Sequence, residues 1–284
     1  KKGGVLKLGS SILPPLPKDS TDRNRTSPFA FTGNKFEFRM VGSSQSISGP
    51  SFVLNTIVAD ALSEVADVLE KADDVKGAVQ KILQDIAIQH ARIVYNGDNY
   101  IEEWVAEAAR RGLPNIRSTY ESLRAFPTPE NIALFTKHGV LSKHEVEARA
   151  ELLLEGYSKQ INIEALTMLN MAKRQILPAC CEYSAKLGKA VTAVSGAGVS
   201  AETQKKLLER ICGLITTMGS RIEALEKVTA KAAGAHGAER HAKSYREEVI
   251  PAMAALRETA DELETIVDAK LWPLPSYAEM LFVR

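Results

Sequence analysis

The sequence predicts an α+β fold that is predominantly helical: a short strand-bearing start, then a long helical region ending in an antiparallel helix bundle. Three observations carry this. Pro, Gly, Ser and strand-forming aromatics concentrate in residues 1 to about 50. From Phe52 onward, apolar residues recur at helical intervals. The last part holds three long periodic stretches, and their short connections imply antiparallel neighbours.

Taken in order, Val5-Leu6-Lys7-Leu8 reads as a short strand and Leu13-Pro14-Pro15-Leu16-Pro17 as a stiff extended connector. Phe52 to Lys71 places Val53, Ile57, Ala61 or Leu62, Val65 and Leu69 on one helical stripe. Val75 to Ile93 repeats the pattern through Val79, Ile82, Ile86 and Ala91. Asn96-Gly97-Asp98 is a turn, with Asp98 the expected cap of a helix carrying Ile101, Trp104, Val105 and Ala108. Gly112 stands where a left-handed C-terminal cap is needed. Thr128-Pro129 opens a short helix with a capping hydroxyl followed by proline, and Gly139 closes it.

Ser142-Lys143-His144-Glu145 has capping-box spacing. It begins a stretch to about Leu187, with a break expected near Gly156. Two more long helices follow, about Ala201 to Ala233 and Ala238 to Lys270. In the last, Tyr245, Val249, Ala252, Leu256, Leu263 and Val267 form one stripe. Ile176-Leu177-Pro178 and Val249-Ile250-Pro251 put a proline inside a helix, where it removes a donor and bends the axis. The Ser195 to Ser200 glycine run reads as a flexible connector, not a phosphate loop, because it lies between long helices. Trp272-Pro273-Leu274-Pro275 stops helix formation, and the tail Tyr277 to Phe282 is expected to pack back on the body. The expected division is 1–50, 51–140 and 141–284.

Composition narrows the function classes. At 31.0 kDa, with 45% hydrophobic and 25% charged residues, the chain reads as an ordinary globular protein of one large or two smaller domains. A net charge of +1 gives no field to draw nucleic acid or an anionic membrane surface, and no apolar run approaches a membrane span. Neither nucleic acid nor membrane is expected as a partner. Cys180, Cys181 and Cys212 show no metal or disulfide spacing, which fits free thiols and a cytoplasmic location. The histidines assemble into no site; His236 and His241 lie five apart across a glycine turn without a further ligand. No P-loop, dinucleotide fingerprint or nucleophile elbow is present. The start at Lys1-Lys2-Gly3-Gly4, without Met, reads as a cut inside a longer protein.

The densest chemistry lies in DRNRTSPFAFTGNKFEFRMVGSSQS, Asp22 to Ser46. Strand alternation sets Lys35, Glu37 and Arg39 on one face and Phe36, Phe38 and Met40 on the other. Lys18, Arg23 and Arg25 lie in the loop upstream. A carboxylate between cations beside a basic loop suits metal-assisted chemistry on phosphate. It also suits an ordinary exposed strand whose charges meet solvent or form a cross-strand salt bridge, as charged strand faces usually do.

The same string resembles the glutamine synthetase signature in the form carried by the type III branch; TGNKFEFR is its most specific part. NGDNYIEEWVAEAARRGLPN, NIALFTKHGVLS, KQINIEALTMLNMAKRQILPA and WPLPSYAEMLF are similar to successive landmarks of that branch's carboxy-terminal portion. The resemblance implies that residues 1–50 are the end of the catalytic β-sheet and the chain a carboxy-terminal fragment, inactive alone. It implies ATP-dependent ligation of ammonia to L-glutamate through γ-glutamyl phosphate, with two Mg²⁺ or Mn²⁺ ions per site and a large homo-oligomer of stacked rings, a dodecamer. Glu37 would ligate one metal. Arg39 would contact substrate glutamate and the transferred phosphoryl group. Lys35, where many relatives carry arginine, would contact ATP phosphate. Arg25 would stabilise charge on ATP or the intermediate. Arg23 has no counterpart, and Phe29-Ala30-Phe31 stands where other branches carry a second arginine. A reading from another class is a non-catalytic helical scaffold that retains a decayed signature.

Overall fold

The computed structural model describes residues 45–95 and 101–281, together with the backbone of four two- or three-residue strands before them. The chain divides into two compact units, residues 1–115 and 116–284.

In the first unit, β1 (Val5–Leu6) pairs antiparallel with β2 (Leu16–Pro17). The proline-rich stretch read as a connector therefore contributes a strand. β3 (Phe29–Phe31) pairs antiparallel with β4 (Phe36–Phe38). Two helices follow, α1 (Ser48–Leu69) and α2 (Val75–Gln89). Asp74 caps α2 by accepting from the backbone N–H of Lys76 and Gly77, both at 3.1 Å. Thr56 is the buried side chain of α1, its hydroxyl bonded to the Phe52 carbonyl at 2.7 Å. Of the apolar stripes expected to face a core, Ile57, Leu62, Val79 and Ile86 are exposed. The spacing is helical as predicted, but the chain supplies nothing to cover those positions among the described residues.

α3 (Glu102–Arg110) starts with Ile101 in the cap position; Asp98, the expected cap, lies outside the described residues. Its end is as the sequence indicates. Gly112 has φ +69°, and the N–H groups of Gly112 and Leu113 bond the carbonyls of Ala109 and Ala108.

The second unit holds the core. α4 (Thr119–Ala125) and α5 (Pro129–Lys137) lead into α6 (Lys143–Met171). Thr128 precedes Pro129 as predicted, but its hydroxyl makes no capping bond. Gly139 closes α5 at φ +62°. The capping box of α6 is complete: Ser142 Oγ accepts from the Glu145 N–H at 3.3 Å, and the Ser142 N–H donates to Glu145 Oε2 at 2.8 Å. Donation from the Ser142 backbone and hydroxyl holds the Glu145 carboxyl below the usual range. Ser142→Ala is expected to cost about 1 kcal/mol, read by chemical denaturation. Because the folded pKa of Glu145 is depressed, its contribution is present above about pH 4.3 and lost as pH falls through the folded value. The Ser142→Ala penalty should therefore shrink in acid.

No break occurs at Gly156. α6 runs through it with Val146, Ala150, Leu154, Ser158, Ala165 and Leu169 buried in sequence, so one face stays in contact from end to end. The irregularity comes later. Ala172–Ile176 is a π-helical segment in which the Leu177 N–H bonds the Ala172 carbonyl, and α7 (Leu177–Gly196) follows with Pro178 in its first turn. The same device recurs after α8 (Glu202–Ala233). α9 (Ala238–Ser244) passes into a π segment at Tyr245–Val249, where the Ile250 N–H bonds the Tyr245 carbonyl. α10 (Ile250–Glu264) then begins with Pro251. Proline lacks an N–H and its ring crowds the carbonyl four residues back; a wider turn just upstream relieves that crowding.

The two π segments place Ala172, Ile176, Tyr245 and Val249 in one buried cluster with Met218, Ile222 and Leu225 of α8 and Leu256 and Leu263 of α10. Arg210–Glu262, Arg221–Glu258 and Lys231–Glu248 link α8 to the α9–α10 rod at 2.8, 3.1 and 2.6 Å. Partner numbers fall as α8 numbers rise, so this pair is antiparallel. Such exposed pairs are worth roughly 0.2–1 kcal/mol each, so they set register more than stability. Arg221 goes deeper and donates to Thr259 Oγ1 at 2.6 Å, which satisfies a buried hydroxyl.

The glycine run is a tight helix–helix turn, not a loose connector: Gly198 has φ +78° and Val199 N–H bonds the Val194 carbonyl. The expected last helix stops at Glu264, short of Lys270, and Leu271, Trp272 and Leu274 pack on the main cluster. The tail does not pack back on the described residues. α11 (Tyr277–Leu281) leaves Tyr277 83% exposed and Leu281 78% exposed, and Phe282 lies outside the described residues. All three cysteines are free; burial pushes the Cys180 thiol up to about 11, whereas Cys181 and Cys212 are exposed. No described helix is long and apolar enough to cross a membrane.

Candidate functional site

The signature segment meets the structure at the β3–β4 ladder. Its register is Phe29↔Phe38, Ala30↔Glu37 and Phe31↔Phe36. Glu37 is thus the middle residue of β4, directly opposite Ala30. Residues facing each other across an antiparallel ladder share a face, so Glu37 and Ala30 occupy one face and the four phenylalanine positions the other. Arg25, Lys35 and Arg39 lie outside the described residues, as do Arg23 and Met40. The position directly across from Glu37 on β3 is held by alanine, not by a lysine or arginine.

A second constellation, which sequence reasoning missed, ties α3 to residues 92–95. The Arg111 guanidinium donates to the carbonyls of Arg92 and Val94 at 3.2 and 2.8 Å and pairs with Glu107. It lies 5.8 Å from the Tyr95 ring centre and 5.5 Å from that of Trp104, and those two rings stack at 4.0 Å. The hydrogen bond from Arg111 holds the Glu107 carboxyl below its ordinary range. The available signal was Tyr95, just before Asn96-Gly97-Asp98, with Trp104, Glu107 and Arg111 downstream, positions that converge only once α3 has formed.

Of the two histidines set five apart, His241 packs edge-on to Tyr245 with ring centres 5.1 Å apart, and His236 lines a surface recess. Among the described residues no three His, Cys, Asp or Glu side chains are grouped to hold a metal.

Known proteins match the chain throughout. The family model described as the glutamine synthetase C-terminal domain covers residues 78–195, from α2 through most of α7. A Dictyostelium discoideum protein named type-3 glutamine synthetase is 40% identical, over 98% of this chain and 39% of its own length. Proteins named glutamine synthetase from Butyrivibrio fibrisolvens and Bacteroides fragilis are 37% and 32% identical, over 93% and 99% of this chain and 38% and 40% of their own.

The chain belongs to the glutamine synthetase family. It spans about two fifths of the length of these relatives. Within the family frame, the Arg111 cluster and the Gly112 and Gly139 helix ends all fall inside the matched C-terminal domain. The β3–β4 ladder precedes that domain but falls within the stretch shared with the longer glutamine synthetases.

Proposed function

We propose that this chain is the carboxy-terminal part of an ATP-dependent glutamate–ammonia ligase, a glutamine synthetase of the type III kind. Family membership supports this reading, and one structural observation carries the site: Glu37 sits mid-strand opposite Ala30, not opposite a cation that would neutralise it in a cross-strand salt bridge. A carboxylate oxygen is the donor type Mg²⁺ and Mn²⁺ take, so Glu37 fits as one ligand of a two-metal site. One carboxylate does not hold such an ion alone; the other ligands would come from the rest of the polypeptide. When bound, the metals would offset charge on ATP phosphate.

In the ligase reaction the γ-carboxylate of glutamate attacks the terminal phosphorus of ATP and expels ADP; ammonia then displaces phosphate from γ-glutamyl phosphate and loses a proton to give the amide. Both steps gather negative charge on phosphoryl and carboxyl oxygens. Arg25 and Lys35 would balance phosphate charge, and Arg39 would orient the substrate carboxylate and the phosphoryl group. Residues 1–50 would form the end of the catalytic sheet, 51–140 the helical part of the catalytic domain, and 141–284 an antiparallel bundle. Apolar side chains left exposed on α1, α2 and α6 support a helical region covered by further protein, in keeping with a ring-forming homo-oligomer in the cytoplasm.

The test is an assay of glutamine formation with ATP, ammonia and Mg²⁺ or Mn²⁺. A polypeptide of the relatives' full length should form glutamine, and the 284-residue chain should form none. Turnover by the short chain, or none by the long one, contradicts the reading.

A further inference from the structure

The second unit carries a recess of about 670 Å³ where the α4–α5 connection, α6 and the start of α9 meet. That volume is in the range of small-molecule sites. Its floor is apolar, made by the buried Ala150 and Leu154 with Pro127 beside them. Its rim carries both signs of charge: Glu147 and Glu151 stand one turn apart on α6, and Arg240 of α9 lines the same space.

These opposite charges do not neutralise one another. Glu147 pairs at 3.8 Å with Lys143 on its own helix, and Glu239 is held by Arg124 at 2.8 Å. Among the described residues, neither Glu151 nor Arg240 forms an ion pair. Carboxylates four apart on a helix repel, and a cation between them relieves the repulsion. At the other end Arg240 also lines an adjoining recess of about 270 Å³ with Arg124, Glu239 and Lys243; Arg124 is taken up by Glu239 and Lys243 reaches Glu247 at 3.9 Å, which leaves Arg240 as the cation there without an ion pair among the described residues. The space is acidic over α6, apolar beneath, and carries Arg240 over α9, where Glu239 is already paired with Arg124. Two carboxylates one helical turn apart beside an apolar floor suit an organic ammonium that carries an apolar group.

We propose that this recess binds a small α-amino acid. The ammonium lies against Glu147 and Glu151, the carboxylate is forked by Arg240, and an apolar side chain covers Ala150 and Leu154. The site is independent of the ligase reading and uses none of its residues.

The test is to titrate the 284-residue chain with L-leucine and follow the backbone amide shifts of α6 and α9. Two half-ligands accompany it: 4-methylpentanoate, which lacks the ammonium, and 3-methylbutylamine, which lacks the carboxylate. Leucine should saturate, with each half-ligand at least about tenfold weaker. Glu151→Gln should remove the advantage over 4-methylpentanoate, and Arg240→Gln the advantage over 3-methylbutylamine, with unchanged circular dichroism. The absence of a saturable shift up to about 10 mM, or leucine binding unaltered in both variants, overturns the proposal.

Discussion

On the proposed ligase reading, Glu37→Ala in the full-length protein is expected to lower glutamine formation by about a thousandfold or more, roughly 4 kcal/mol of transition-state stabilisation. Removing a metal-ligating carboxylate weakens the hold on an ion whose charge the phosphoryl transfer needs. On the proposed site it would also leave the charges of Arg25, Lys35 and Arg39 without their counter-anion. Glu37→Gln should behave like Glu37→Ala, because the amide lacks the charge. Glu37→Asp keeps the charge on a shorter arm and should recover part of its activity at raised Mg²⁺ or Mn²⁺. Thermal unfolding should barely move in any of the three. An alanine variant retaining a tenth of parental activity would falsify the metal role and favour the solvent-facing strand.

The largest stability effect should come from Tyr245→Ala. Tyr245 is 1% exposed, sits in the second π segment and belongs to the main buried cluster. Its hydroxyl meets Asn162 Oδ1 on α6 at 3.0 Å. Truncating a buried aromatic typically costs about 3–5 kcal/mol, through lost transfer energy and the cavity left behind. Tyr245→Phe, which removes only the hydrogen bond, should cost about 1 kcal/mol. Chemical denaturation separates the two. The exposed Tyr277→Ala provides a baseline near zero. A Tyr245→Ala cost as small as the Tyr277→Ala one would mean that the π segment is not part of the cooperative core.

What was legible in the sequence follows the range of the forces involved. The capping box at Ser142 and Glu145 and the left-handed closures at Gly112 and Gly139 are settled within five or six residues, so spacing alone predicts them. The stop at Gly156 was not settled locally. Glycine lowers helix propensity by about 1 kcal/mol, but the continuous buried face of α6 outweighs that. The two internal prolines announced an irregularity but not its kind, because relief by a wider turn depends on what the next helix packs against. The exposed stripe of α1 and α2 shows the opposite limit: periodicity reports which face is apolar, not what covers it. For the site, the family string was legible in advance, whereas Arg240 and Glu151 are far apart in sequence and share a recess only through the fold.

The paired wide turns also bear on how lineages of this domain can change in length. Dropping one residue from an ordinary stretch of helix rotates everything beyond it by about 100° and turns the buried stripe out of the core. At 172–176 and 245–249 the winding already carries a surplus residue, so losing one there keeps both flanking rods aligned once Pro178 or Pro251, which needs the wider turn, is replaced as well. One-residue deletions among kindred sequences should gather at these two places and be purged elsewhere along the rods.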